Sequence, residues 1–213
     1  MAAVLFDLDG TLIDSIHAIV KSWVRAGNKM GVQFDPNMVR SFIGFSPRVH
    51  ALKYFKREDV AGKFLKIVQD EFSKIWMDEV KPYPDSYTVL KSLRDMKIKT
   101  AVISSNFKRT VERILEHFDF LHFFDAVVCD DEVKRGKPAP DIILEATKRL
   151  KVPPHICIVV GDTLFDVEAG KRAGAHAVLV VRKLIYLAKS KYLPNYVIPS
   201  LKDIISIIKT WES

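Results

Sequence analysis

A chain of 213 residues, 48% apolar and 28% charged, has a globular composition and enough length for one large domain or a core with a smaller insert. Its apolar runs are strand-length, far short of the ~20 residues a membrane span needs, and MAAVLFDLDG has no basic segment before its apolar stretch, so no membrane partner and no secretory leader are expected. The net charge of +7 is scattered without a run of five Lys/Arg, which argues against specific nucleic-acid binding, and two cysteines, Cys129 and Cys157, are too few for a disulfide framework or a zinc site, so a reducing, cytoplasmic setting is expected.

Residues 2–6 are uninterrupted apolar residues, the pattern of a strand buried on both faces of a parallel sheet. Residues 15–80 then show no strand pattern. Ile16, Ile19, Val20, Trp23 and Val24 keep one helical face. Asp35-Pro36 and Ser46-Pro47 are each a cap followed by a first-turn proline, and a further helical stripe runs from Ala61 to Trp76. These signals predict a four-helix insert carrying eleven Lys/Arg against seven Asp/Glu. Lys81-Pro-Tyr-Pro-Asp85 stops helix formation and is expected to be the return linker. From there buried-strand patterns at 100–103, 126–129, 156–160 and 177–181 alternate with helical patterns at 86–96, 110–118 and 141–150. A short edge strand at 196–198 and a helix at 201–211 close the chain. The expected fold is α/β, a doubly wound, Rossmann-like parallel sheet (residues 1–14 and 81–213) with an inserted helical domain (residues 15–80).

In such sheets ligands bind beyond the carboxyl ends of the strands. The first strand is followed by Asp7, Asp9, Gly10 and Thr11, the second by Ser104, Ser105 and Asn106, the third by Lys137, and the fourth by Gly161, Asp162 and Asp166. Taken singly, each has an ordinary explanation: Asp162 and Ser104 as helix caps, Lys137 as a solvated loop lysine. Asp7 resists one, because it continues a wholly apolar strand where an unpartnered carboxylate is costly. Coincidence at four successive strand ends is improbable. The oxygen donors suit Mg²⁺ rather than zinc. One carboxylate of the Asp7/Asp9 pair is suited to attack phosphorus and the other to carry the proton. No G-x-x-x-x-G-K-[ST] stretch and no dinucleotide fingerprint is present.

Asp7-Leu-Asp9-Gly-Thr11-Leu, a strand ending in Ser104, Lys137-Pro138 and Gly161-Asp162-Thr-Leu-Phe-Asp166 together resemble the four motifs of the haloacid dehalogenase superfamily, in its phosphatase branch. The order is right and the resemblance covers nearly the whole chain. It implies that Asp7 is the nucleophile and a Mg²⁺ ligand. Asp9 is the general acid/base with its carbonyl on the metal, and Asp162 and Asp166 complete the metal site. Ser104, Ser105 and Lys137 hold phosphate, with Gly10 and Thr11 supporting them, and the helical insert is the cap. The pattern is most similar to phosphoglycolate phosphatase and its relatives, which implies a small phosphorylated metabolite as substrate and a monomer or homodimer. Asp9 departs from the dehalogenase branch, which has no acid there. Sugar phosphomutases share all four motifs and stay open as an alternative, as does a non-catalytic protein on the same fold. Within the insert, Arg48 is expected to reach a carboxylate or second phosphate of the substrate, and His17 is a second candidate for facing the cleft.

Overall fold

A computed structural model of the chain describes residues 3–182 and 191–212; Ala2, in the first expected strand, lies outside them. The sheet is built from β1 (Ala3–Phe6), β4 (Lys99–Ser104), β5 (Ala126–Cys129), β6 (Cys157–Gly161), β7 (His176–Val180) and β8 (Tyr196–Ile198), all parallel, in the order β5-β4-β1-β6-β7-β8. Because side chains alternate along a strand, β1 feeds two cores at once. Val4 and Phe6 join the apolar faces of α6 (Ser86–Asp95), α7 (Lys108–His117) and α10 (Asp203–Glu212). Ala3 and Leu5 join those of α8 (Asp141–Leu150) and α9 (Leu164–Arg172). Each fully buried large side chain in these layers contributes about 1.5–3 kcal/mol of transfer free energy. The reversal of strand order falls between β1 and β6, and the crevice there opens at the strands' carboxyl ends.

After β1 the chain turns at Gly10 (φ +88°) into β2 (Ile13–Asp14) and leaves the sheet. It returns through β3 (Lys81–Pro82), which pairs antiparallel with β2. Between them lie α1 (Ile16–Lys29), α2 (Pro36–Phe42), α3 (Pro47–Phe55), α4 (Glu58–Ser73) and the single turn α5 (Trp76–Glu79). The first four helices surround their own apolar centre, in which Trp23 meets the rings of Phe34, Phe42 and Phe64 at centroid distances of 6.0, 4.7 and 5.0 Å. Asp35 caps α2 by accepting the Asn37 N–H at 2.6 Å.

Two local expectations change. The stripe from Ala61 to Trp76 is not one helix; it ends at Ser73, and Phe72, Ile75 and Trp76 pack into the sheet-side core rather than the insert's own. Ser46 stands before Pro47 but makes no side-chain cap; its N–H donates instead to the carbonyl of Lys137 at 3.1 Å, which ties the insert to the sheet. Cys129 and Cys157 are free and buried on β5 and β6, strands three spacings or about 14 Å apart, and they sit at opposite ends of those strands (Cys129 level with Ser104, Cys157 level with Ala3), well beyond disulfide reach. No helix among the described residues is long and apolar enough to cross a membrane.

Candidate active site

Asp7 leaves the end of β1 with its N–H bonded to Val160 O at 2.8 Å, so the sheet itself aims its carboxyl at the crevice. Lys137 is wholly buried and its ammonium is fully used. It donates to Asp7 Oδ1 at 2.5 Å, to Asp166 Oδ1 at 2.7 Å and to the carbonyl of Ile103 at 3.0 Å. Asp7 itself lines the crevice. Burial would depress the lysine's pKa, but the two carboxylates outweigh it and hold the ammonium charged. For Asp7 the balance runs the other way: burial, with Asp166, Asp162 and Asp9 nearby, outweighs Lys137 and raises its pKa well above the usual carboxylate range.

The β6–α9 connection shows why its sequence is Gly-Asp-Thr-x-x-Asp. A Cβ on Gly161 would sit 2.3 Å from Asp166 Cγ, so only glycine fits. Thr163 opens α9, and Asp166, three residues on, accepts the Thr163 N–H at 3.2 Å and its hydroxyl at 2.6 Å through Oδ2. Both oxygens of Asp166 are therefore engaged, one on the helix start and one on Lys137. Asp162 accepts the Thr11 hydroxyl at 3.3 Å. The first loop closes on it just as tightly, since a Cβ on Gly10 would lie 2.3 Å from Asp162 Oδ2. Desolvation and the neighbouring Asp166 push Asp162 up to about 7.

Asp9 is buried beside Asp7, where burial raises its pKa. Its Oδ1 accepts the Ser15 hydroxyl at 2.6 Å, and Asn106 Nδ2 approaches Oδ2 at 3.5 Å. Ser15 stands at the N-terminus of α1 without capping it; its hydroxyl serves Asp9 instead. Carboxylate oxygens of Asp7, Asp162 and Asp166 lie within 4.8 Å of one another. With Asp9 they make four carboxylates around one ammonium. This buried excess of negative charge, offered through hard oxygens only, fits a divalent cation such as Mg²⁺.

The crevice opens into a cleft of about 730 Å³, counted out to its mouth, that runs from Asp7 and Asp9 into the insert. Ser105 and Asn106 line it, whereas Ser104 lies beneath, fully buried, with its Oγ accepting the Asn106 N–H at 3.0 Å. The Ser105 hydroxyl donates to the carbonyl of Gly44 at 2.8 Å, so it holds the insert's loop. Gly44 (φ +93°) packs against Thr163, and Phe45 meets Phe165 edge-on at 5.3 Å.

Two expected specificity residues do not face this cleft. The Arg48 guanidinium donates to Asp130 Oδ2 at 2.6 Å, to the Val133 carbonyl at 2.9 Å and to the Asp130 carbonyl, so it latches the insert to the core. His17 is 76% exposed, with Nε2 4.0 Å from Glu79. Conversely the sequence places Asn106 only as a residue after the second strand, and it assigns no role to Ser15, Thr163 or Asp130. Of these only Thr163 had a local signal, the Thr-x-x-Asp spacing of a capping box.

Residues 4–180 match the family model described as haloacid dehalogenase-like hydrolase. The chain belongs to that family. Among curated proteins it is similar to the phosphoglycolate phosphatase of Aquifex aeolicus, 30% identical over 98% of this chain and 97% of the relative. It is also similar to the pyrophosphatase PpaX of Bacillus mycoides, 31% identical over 96% of this chain and 95% of the relative. Among solved structures, a predicted phosphatase from Clostridium acetobutylicum superposes with a TM-score of 0.82 at 29% identity, over 98% of both chains. The family match spans β1 to β7, and so covers the sheet, the insert and the crevice described above.

Proposed function

We propose that this hydrolase is a Mg²⁺-dependent phosphatase that cleaves a small phosphomonoester through an aspartyl-phosphate. The observation that carries the reading is the Asp7–Lys137–Asp166 array, with a second carboxyl, Asp9, held separately beside it. The phosphatase names of full-length relatives near 30% identity support it. Residues 15–80 are read as the cap and residues 1–14 with 81–213 as the catalytic core.

Asp7, Asp162 and the Asp9 carbonyl would hold the metal, with Asp166 beside them. Bound there, Mg²⁺ supplies charge neutralisation for the phosphoryl oxygens. The chain's own residues do the rest. Lys137 fixes Asp7 through Oδ1 and leaves Oδ2 to attack phosphorus. Asp166, anchored by Thr163, sets the position of that ammonium. Asp9, whose raised pKa favours the protonated form, gives its proton to the departing oxygen and then accepts one from the water that opens the aspartyl-phosphate. The Ser105 N–H and the Asn106 side chain, at the cleft wall, would bind phosphoryl oxygens, while buried Ser104 holds their loop by accepting the Asn106 N–H.

The test is hydrolysis of p-nitrophenyl phosphate with Mg²⁺, with excess EDTA, and by Asp7→Asn. Turnover should vanish with EDTA and fall at least ~10⁴-fold in the variant, whose fold should be intact by circular dichroism. Retained turnover in Asp7→Asn removes Asp7 as nucleophile.

A further inference from the structure

The proposed reaction places the phosphoryl group at Asp7 and the rest of the ester in the cleft above it. What that space can solvate decides what the ester can be. Its walls are Trp23 from α1, Phe42 at the end of α2, Leu65, Val68 and Phe72 from α4, and Phe107 before α7. The side chains among them able to form hydrogen bonds, such as Gln69 and Thr110, are uncharged away from the Asp7/Asp9 floor. Among the described residues, no lysine, arginine or histidine lines the cleft.

This is not for want of cations nearby. Residues 15–80 contain eleven lysines and arginines, none of them among the residues that line the cleft, and ten of them are held in ion pairs or exposed. Lys29 and Lys74 converge on Glu71 at 2.6 Å each, Lys21 is taken by Glu79, and Arg57 by Asp59. Arg48, the residue whose position best suggested an anion anchor, is bound to Asp130. Lys53, Lys56, Lys63, Lys66 and Arg40 are exposed on the outer surface. His50 stacks on Phe42 behind the wall at 3.5 Å between ring centroids, where partial burial lowers its pKa and keeps it neutral.

An anionic leaving group would therefore give up its water among these walls with no counter-charge from them in return. A ring or alkyl chain would instead lie against Trp23 and Phe42. Resting on the phosphatase reading above, we infer that the cleft selects phosphomonoesters whose leaving group is uncharged and apolar, aryl or alkyl, and selects against those bearing a carboxylate or a second phosphate. The P–O bond to the alcohol breaks, Asp9 supplies the proton, and a neutral alcohol leaves an apolar pocket. Glycolate and phosphate, the leaving groups implied by the names of the two relatives, are both of the disfavoured kind.

The experiment compares benzyl phosphate with 4-carboxybenzyl phosphate under Mg²⁺ saturation. The two esters share the same leaving oxygen and differ in one remote charge. The kcat/KM ratio should favour benzyl phosphate by on the order of a hundredfold, and Gln69→Lys, which places an ammonium on the α4 wall, should cut that ratio at least tenfold. A wild-type ratio below tenfold, or a ratio untouched by Gln69→Lys, overturns the inference. Acetyl phosphate, too small to need the cleft walls, separates the two levels. If it is hydrolysed while neither benzyl ester is, the inference alone fails. If none of the three is hydrolysed, the phosphatase reading fails and the inference with it.

Discussion

Lys137→Met tests the electrostatic account of the site most directly. The native ammonium makes three hydrogen bonds at zero exposure, two of them to carboxylates. Methionine fills nearly the same volume, so packing changes little. What changes is that Asp7 and Asp166 lose their shared counter-charge, and Asp7 already titrates high with the lysine present. Breaking a buried pair by removing one partner costs about 3–5 kcal/mol. For a chain of this size, that is a fall in Tm of roughly 6–20 °C. A carboxyl whose folded pKa lies above its unfolded value destabilises the fold fully above that pKa, and the penalty shrinks as pH falls below it towards the unfolded value. The variant's deficit should therefore be largest near pH 8 and shrink by at least half near pH 5. Chemical denaturation of both proteins in EDTA at the two pH values measures this directly. A deficit below 1 kcal/mol, or one of equal size at both pH values, would refute the view that Lys137 serves as the site's resident counter-ion.

The same logic governs metal affinity. Asp162 is pushed up to about 7, so at the proposed metal site Mg²⁺ would compete with a proton below that pH. The Mg²⁺-induced rise in Tm should grow from pH 5.5 to pH 8.5, and a flat profile would remove Asp162 from the ligand set. Arg48→Met leaves buried Asp130 without its guanidinium and should cost about 1–3 kcal/mol in denaturant titrations; unchanged stability would show that the latch carries no load. Gly10→Ala combines a φ of +88° with a Cβ 2.3 Å from Asp162 Oδ2, so Mg²⁺ binding by calorimetry should weaken at least tenfold. Wild-type affinity there would show that the loop can yield.

Much of this is legible in the sequence alone. The helix expected at 141–150 occurs at those residues because its apolar spacing is regular and Lys151 adopts the left-handed turn that ends it (φ 55°). Asp7, Asp9, Lys137, Asp162 and Asp166 converge because each follows a strand, and parallel strands present all their carboxyl ends to one edge. The Arg48 latch is not legible in the sequence, because its partner, Asp130, lies 82 residues away and nothing local distinguishes a latch from a substrate anchor. Asn106 and Ser104 exchange their expected prominence for a related reason: which of two adjacent polar residues faces a cleft depends on the exact exit of β4. The break at Ser73 escaped because the apolar stripe continues through it while serving two different cores.

The pairing of β2 with β3 also bears on how such a molecule can vary. Ile13 sits opposite Pro82 and Asp14 opposite Lys81. The Tyr83 N–H and the Ser86 hydroxyl both close onto the carbonyl of Leu12, at 3.0 and 2.7 Å. Topologically, everything between Asp14 and Lys81 is the turn of a β-hairpin, grown to 66 residues. Closing a longer turn costs little, about 0.6 kcal/mol for each doubling of its length. The base of the hairpin stays the same whatever the turn contains. The cleft's upper walls can thus be resized or recharged, while the register of β1 with its neighbours, and the aim of Asp7, are set below the point where the turn begins.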